Sequence, residues 1–249
     1  MPRSARKQCE SKIFHIMLRG IDRQIIFQDD EDCEKYLQCL GECKKVSGFT
    51  LYAYCLMGNH VHLLLQEGKE PLSQIFKRIG VRYVYWYNWK YRRTGHLFQD
   101  RFKSEPIEDD ACFLAVLRYI YRNPVKAGLC GKPEEYPWSS YYPNSPYKSL
   151  IDTEKLFGLI SPIELPSFLM RDAPDVFLDA DRDGRLNDRE AIERIKALCH
   201  VPASTDFKYL DKGQQSEYLH LLQEEHCSIR QLSRLTGLTK AQIERLLKG

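Results

Sequence analysis

A two-residue turn between two apolar segments is the sequence feature that most constrains the fold. Gly58-Asn59 separates residues 49–57 (FTLYAYCLM) from residues 60–66 (HVHLLLQ). Both flanking segments are rich in residues that favour β-structure, and a Gly-Asn connection of two residues is typical of a tight hairpin. The sequence therefore predicts two neighbouring antiparallel strands, around which the rest of the domain must be built.

The segments around this hairpin alternate between strand and helix patterns. Strand patterns occupy residues 13–18 and 97–107, and helix patterns occupy about residues 29–46, 71–91 and 109–122. Asn123-Pro124 is expected to end or bend the third of these helices. The order of elements matches the split βαβ, ferredoxin-like arrangement. We predict an α+β domain over residues 8–145, with an antiparallel sheet and its helices on one face.

The remaining hundred or so residues predict a mostly α-helical C-terminal extension. Residues 146–213 form a connector with an acidic loop and a short helix, and residues 214–249 are helical. Ser228 and Thr239 each begin a capping-box pattern, with Gly237 between the two helices. This pattern fits a helix-turn-helix that could bind duplex DNA, and it equally fits a plain helical hairpin that packs on the main domain.

Composition excludes several classes of protein. The hydrophobic fraction of 43% is too high for a disordered chain, and no apolar run approaches the roughly 18–20 residues of a membrane span. The basic N-terminal residues are not followed by an apolar stretch, so no secretory signal is expected. Nine cysteines without a CxxC pair favour reduced thiols. We expect a cytoplasmic protein with no membrane partner, present as a monomer or homodimer.

Positive charge is concentrated in one segment. Between Lys69 and Lys103 the chain has nine Lys and Arg residues against two acids, together with nine aromatic residues. Cations bind phosphates and flat side chains stack on bases, so this composition suits single-stranded nucleic acid. An amphipathic helix with a solvated basic face and aromatic core residues explains the same composition.

Two histidines alternate on the strand that follows the turn. His60 and His62 are two residues apart, so both imidazoles lie on one face of the strand while Val61 and Leu63 lie on the other. Such a pair can hold a divalent cation if a further ligand completes the site. A His-x-His pattern is a weak signal when it stands alone.

The third helix supplies the other candidate residues. Tyr119 and Asn123 are four residues apart and share a helix face. If that face meets the histidines, Asn123 can complete the metal site and Tyr119 can act as a nucleophile on a phosphate that the metal polarises. A packed aromatic side chain is the alternative for Tyr119, and Tyr121 is a competing nucleophile on another face.

These residues carry a family resemblance. Residues 58–65 (GNHVHLLL) resemble the histidine–hydrophobe–histidine motif of the HUH single-strand tyrosine transposases. Residues 118–129 (RYIYRNPVKAGL) resemble the nucleophile helix of the REP-associated tyrosine transposase branch. Three further phrases fit that branch: residues 15–27, 95–103 and 136–140. Together these phrases span about residues 11–142 in the expected order.

The resemblance implies an enzyme that nicks and rejoins single-stranded, hairpin-forming DNA, as in DNA transposition. Tyr119 would be the nucleophile and form a 5′-phosphotyrosine. His60, His62 and Asn123 would hold a divalent metal, Mg²⁺ or Mn²⁺, of which imidazole ligands favour Mn²⁺. Lys126 stands where arginine is commoner in the branch. The residues that would bind DNA are Arg19, Arg23, Arg82, Arg101, Lys103 and Lys126.

An acidic stretch suggests a different ligand. Residues 179–190 fit the EF-hand pattern, with Asp179, Asp181 and Asp183 followed by Glu190 at the twelfth position. Pro174 lies close upstream and the chain has no second such loop, so an acidic loop that caps the next helix is the alternative.

Three functions therefore compete. The first is an active strand-transferring transposase. The second is a domesticated DNA-binding or regulatory protein that recognises hairpin DNA without strand transfer. The third is a Ca²⁺-responsive interaction protein built on the acidic loop. The complete set of Tyr119, His60, His62 and Asn123 favours the first.

Overall fold

The computed structural model describes residues 10–171, 177, 186, 188–225 and 227–247. Its sheet contains four antiparallel strands in the order β2-β3-β1-β4. The strands are β1 Ile13–Arg19, β2 Thr50–Met57, β3 His60–Gln66 and β4 Lys103–Pro106. The tight hairpin is confirmed, since β2 and β3 pair up to the Met57–His60 position on either side of Gly58-Asn59. The strand order is that of the ferredoxin-like arrangement, which confirms the predicted α+β class.

Helices follow the strands in the predicted order and continue into the C-terminal part. Their bounds are α1 Asp30–Ser47, α2 Leu72–Lys90, α3 Asp110–Lys126, α4 Glu154–Leu159, α5 Leu165–Leu169, α6 Asp188–Cys199, α7 Lys212–Glu224, α8 Ile229–Thr236 and α9 Lys240–Leu246. None of the described helices combines the length and the hydrophobicity that crossing a membrane requires.

The sheet is covered on both faces, which differs from the predicted placement of helices on one face. Val61, Leu63 and Leu65 of β3 pack in one hydrophobic core with α1 and α2. Leu64 packs in a second core with α3 on the opposite face. The reason is the apolar content of both faces of the central strands, since a strand buried on two sides needs cover on each. The histidine positions share the α3 face.

Two element boundaries differ from the predictions. The strand predicted over residues 97–107 is reduced to β4, because only residues 103–106 pair with β1; Phe98 makes just an isolated bridge to Gly20. Helix α3 continues past Asn123-Pro124 to Lys126. Pro124 lies in the last turn of the helix, so its missing N–H costs one backbone hydrogen bond without ending the helix.

The chain divides into two compact units. One comprises Met1–Ile21 and Ile25–Asp179, and the other comprises Asp22–Gln24 and Ala180–Gly249. The second unit has its own hydrophobic core, to which α6, α7, α8 and α9 contribute. Ser228 caps α8 by accepting a hydrogen bond from the Gln231 N–H, and Thr239 forms a capping box at α9. The helical pair and both caps are therefore present, but the reciprocal capping box forms only at α9, since the Gln231 side chain bonds to Leu186 and Asp188 instead.

Candidate active site

The register of the sheet decides which side chains surround the two histidines. In β1, Arg19 lies directly opposite His60 and Met17 directly opposite His62. Side chains directly opposite each other in an antiparallel pair lie on the same face. This face carries both histidines under α3, and both are buried: His60 is 5% exposed and His62 is fully buried.

The hairpin turn orients the first histidine. His60 Nδ1 lies 2.6 Å from the side-chain oxygen of Asn59, the second residue of the turn. An amide oxygen only accepts hydrogen bonds, so the Nδ1–H of His60 is the donor. The ring of His60 then meets that of His62 at right angles, with 4.9 Å between their centroids. The turn thus fixes both the position and the tautomer of His60.

A third histidine, from β1, supports the second. His15 Nε2 lies 3.0 Å from His62 Nδ1, and the two rings stack with centroids 5.2 Å apart. On the other side of the His15 ring, Nδ1 lies 3.5 Å from the Glu105 carboxylate, which is beyond ordinary hydrogen-bond length. Glu105 is the residue of β4 directly opposite His15. Three strands therefore converge on this histidine pair.

Helix α3 brings Tyr119, Asn123 and Lys126 to the histidines. The Tyr119 ring contacts His62 edge to face with centroids 5.4 Å apart, and it contacts His15 in the same way at 5.7 Å. Asn123 Nδ2 lies 3.5 Å from His62 Nε2. The Lys126 ammonium lies 5.0 Å from the centroid of the Tyr119 ring. The i, i+4 and i+7 spacing places all three on one side of the helix.

Tyr121 has different surroundings. Its ring stacks on Tyr141 with centroids 5.0 Å apart, and its hydroxyl accepts a hydrogen bond from Ser140 at 3.2 Å. Burial raises the pKa of Tyr121 above its ordinary value. Of the two candidate nucleophiles, Tyr119 is the one in contact with His62 and His15.

Burial also controls the charge of the histidines. It holds the pKa of His62 well below the ordinary value, and the neighbouring His60 and His15 lower it further. Burial likewise lowers the pKa of His15, against the opposing effect of Glu105. Both imidazoles are therefore neutral at pH 7, which is the state that can accept a hydrogen bond or bind a metal.

The candidate nucleophile is covered. Tyr119 is only 1% exposed. Phe177 packs edge to face on the Tyr119 ring with centroids 5.6 Å apart, and it also contacts His15 at 6.3 Å. Phe177 therefore contributes to the shielding of Tyr119 from solvent.

The predicted DNA-binding residues lie in different parts of the first 130 residues. Arg19 and Lys103 are on the histidine face of the sheet, since Lys103 lies directly opposite Met17. Arg101 is exposed in the loop that precedes β4. Arg23 is 6% exposed. Arg82 is on α2, across the sheet from the histidines, and forms an ion pair with Glu42.

The basic and aromatic segment is divided between core and surface. Tyr83 and Tyr87 of α2 are buried in the core, whereas Tyr85 and Trp89 are 78% and 73% exposed. Lys90 pairs with a cluster of acids at the start of α1: Asp29, Glu31 and Asp32. The amphipathic-helix interpretation therefore accounts for part of this segment, and acids neutralise part of its charge.

Most of the acidic stretch lies outside the described residues. Asp179, Asp181 and Asp183 lie outside the described residues, and Glu190 lies in the first turn of α6. Within the described ranges, no group of three or more His, Cys, Asp or Glu side chains is arranged to hold a metal ion. Calcium binding by this stretch stays a sequence prediction.

Sequence reasoning missed His15, Glu105 and Asn59 as members of the site. His15 did carry a signal, because it is the one polar residue in the apolar strand pattern of residues 13–18. Glu105 carried none, since its role depends on the pairing of β4 with β1. Asn59 was assigned only to the turn.

Comparisons with known proteins show what this domain is similar to. Residues 8–123 match the family described as transposase IS200-like. A Haemophilus influenzae protein described as a REP-associated tyrosine transposase is 32% identical over 106 residues, which are 38% of this chain and 60% of that protein. The chain thus spans 60% of the length of this curated relative.

A solved structure supports the fold. The structure of a REP-associated tyrosine transposase bound to a REP hairpin aligns over 72% of this chain and 96% of its own, with a TM-score of 0.52 and 16% identity. Residues 8–123 are therefore similar to the IS200-like transposases, and the resemblance to the REP-associated tyrosine transposases is confirmed.

Proposed function

We propose that the first unit nicks and rejoins single-stranded DNA through a covalent bond to Tyr119, with a divalent metal held by His60, His62 and Asn123. The observation that carries the proposal is the convergence of these side chains: Tyr119 and Asn123, from one face of α3, both contact His62. Tyrosine, two imidazoles and an amide form a set suited to phosphodiester chemistry.

The residues present fit a metal such as Mn²⁺ or Mg²⁺. His60 donates its Nδ1–H to Asn59, so Nε2 is its basic nitrogen, and burial keeps His62 neutral. Two neutral imidazoles and an amide oxygen are an incomplete ligand set, which leaves room for a phosphate oxygen of the substrate. Imidazole ligands favour Mn²⁺ over Mg²⁺. Bound there, the ion would neutralise charge that develops on the scissile phosphate.

The chemistry assigned to Tyr119 is a transesterification. Its hydroxyl oxygen attacks the phosphorus atom and loses its proton, and the bond from phosphorus to the 3′ oxygen breaks. The products are a 5′-phosphotyrosine and a free 3′-hydroxyl, which takes up a proton. Because the phosphoester bond energy is kept, a 3′-hydroxyl of another strand can reverse the step without ATP. Lys126, whose ammonium lies 5.0 Å from the centroid of the Tyr119 ring, provides positive charge beside this side chain.

The substrate we propose is hairpin-forming single-stranded DNA. The similar transposase of known structure is described as bound to a REP hairpin. On the histidine face, Arg19 beside His60 and Lys103 beside Met17 supply cations for the backbone phosphates. Arg82 is separated from this face by the sheet and is not part of the interface we propose.

A labelled-strand assay tests the proposal. Hairpin-containing single strands, labelled at either the 5′ or the 3′ end, are incubated with the protein and Mn²⁺ and separated on a denaturing gel. Only the 3′-labelled strand should become attached to protein, because the phosphotyrosine stays with the downstream fragment. Tyr119→Phe should abolish the adduct, whereas Tyr121→Phe, which alters a hydroxyl bonded to Ser140, should retain it. An adduct that survives in Tyr119→Phe would refute the assignment.

A DNA-binding protein without cleavage is the second candidate, and the burial of Tyr119 favours it. A closed site can hold DNA nearby without exposing the phenol. In this case the wild type and Tyr119→Phe would bind the hairpin equally, and neither would form an adduct with Mn²⁺ or Mg²⁺.

A further inference from the structure

We infer that His15 is a positioning residue that holds His62 in the tautomer required for metal binding. The inference rests on the metal site of the proposed function and concerns a residue outside the ligand set. His15 lies on β1, whereas His62 lies on the neighbouring strand β3. The ring stacking and the 3.0 Å contact between His15 Nε2 and His62 Nδ1 couple the two side chains.

The proton positions follow from the groups at either end of this contact. Glu105 places a carboxylate 3.5 Å from His15 Nδ1, and a negative charge favours the tautomer with the proton on that nitrogen. Both rings are fully buried, which disfavours a second proton on His15. His15 Nε2 is then an acceptor, and the shared proton belongs to His62 Nδ1. The basic nitrogen of His62 is consequently Nε2, which faces the Asn123 amide.

The two proposed ligand histidines are thus oriented in the same way, by a hydrogen bond at Nδ1. The acceptor lies in the hairpin turn for His60 and on β1 for His62. Asn59 accepts the Nδ1–H of His60, and His15 accepts the Nδ1–H of His62. Each partner leaves Nε2 as the nitrogen for a ligand. Partners of this kind fix ring orientation in metal sites, and their loss typically weakens metal binding by roughly 10–100-fold.

The tautomers can be measured directly in the metal-free, wild-type protein. Long-range ¹H–¹⁵N NMR correlations of the histidine rings distinguish a proton on Nδ1 from one on Nε2, and single histidine variants assign the seven rings. We expect His15, His60 and His62 each to carry the proton on Nδ1. A proton on Nε2 of His62 would overturn the inference.

Mn²⁺ binding by the full-length protein, measured by calorimetry without DNA, gives a second test. His15→Leu removes the acceptor and should weaken binding by roughly 10–100-fold. His15→Gln offers an amide oxygen to His62 and should restore binding to within about threefold of wild type. His96→Leu, a change at an exposed loop position, should have no effect. Equal binding by the Leu and Gln variants, or no Mn²⁺ binding by the wild type, would overturn the inference.

Circular dichroism distinguishes a folding defect from a local effect. If His15→Leu does not fold, the wild-type tautomers and the Gln variant still decide the question. The outcome is also separable from the proposed function. The Mn²⁺ affinities of wild type, His15→Gln and His15→Leu could follow the expected order while the wild type forms no DNA adduct. That result would refute the cleavage reaction and support the role of His15.

Discussion

The protonation of single imidazole nitrogens determines what the buried histidines beneath α3 can bind. His15 and His62 are both fully buried, and burial keeps them neutral at pH 7. A metal ion or a hydrogen-bond donor can use a neutral imidazole, whereas a second proton removes its lone pair. The site is thus adapted to work above the lowered pKa values of these two residues.

Acidification should therefore destabilise the protein before its carboxylates titrate. The pKa of a buried, neutral histidine is lower in the folded state than the ordinary value of 6.5, so the unfolded state binds more protons between those two values. Stability should be full above about pH 6.5 and fall below it, by up to about 1.4 kcal/mol per pH unit for each histidine. Urea unfolding at pH 7.5, 6.5 and 5.5 measures the slope.

The matched control for this slope is His62→Gln. This variant lacks one of the two histidines whose pKa is lowered. The slope of the free energy of unfolding against pH should therefore fall by the contribution of about one proton. A free energy of unfolding that rises from pH 6.5 to pH 5.5 would contradict the neutral state assigned to these residues.

The contact between Phe177 and Tyr119 leads to a second prediction about single residues. The Phe177 ring packs on Tyr119 and His15, so it contributes to the cover that leaves Tyr119 only 1% exposed. Phe177→Ala should speed adduct formation several-fold under single-turnover conditions. Phe168→Ala is a comparison at another aromatic residue of the same core, which contacts Arg118 instead. A slower Phe177→Ala enzyme with unchanged DNA affinity would show that this ring helps to align Tyr119.

At the scale of elements, pairing and packing were predictable to different degrees. The hairpin, the helix order and the shared face of Tyr119 and Asn123 follow from local patterns, since turn chemistry and periodicity act over a few residues. The contact between His15 and Glu105 depends on β4 pairing with β1, some ninety residues away, and no local pattern encodes it. The cover of both sheet faces was missed for the same reason.

A close backbone approach beside the hairpin provides a test of this element packing. A Cβ atom at Gly68 would overlap the carbonyl group of Gly48, so one of the two backbone segments would have to shift. Gly68→Ala should destabilise the protein by about 1–3 kcal/mol.

Gly80, inside α2, is the matched control. Among the described residues, no heavy atom other than those of its chain neighbours and its own helix backbone lies within 4 Å of a Cβ placed there. Gly80→Ala should stabilise the protein by about 0.5–1 kcal/mol, because alanine loses less entropy in a helix. Thermal unfolding compares the two variants, and equal effects would contradict the described backbone contact.

At the scale of the whole molecule, the proposed chemistry belongs to one of the two units. His15, His60, His62, Tyr119 and Asn123 all lie in the first unit, together with the two cores that hold them. The second unit has a separate core around α6–α9. A chain ending after Asp179 should therefore form the Tyr119 adduct at a rate within about threefold of full length. Truncated protein that is folded by circular dichroism but inactive would show that the second unit contributes to cleavage.

The site of covalent attachment is the most direct test of the central claim. After reaction with hairpin single strands and Mn²⁺, the adduct is digested with nuclease and trypsin, which cuts after Arg118 and Arg122 and leaves residues 119–122 (YIYR). Fragmentation in the mass spectrometer separates Tyr119, the first residue of this peptide, from Tyr121. The account predicts a phosphonucleotide on Tyr119. A phosphonucleotide on Tyr121, or on any residue away from the histidine pair, would contradict it.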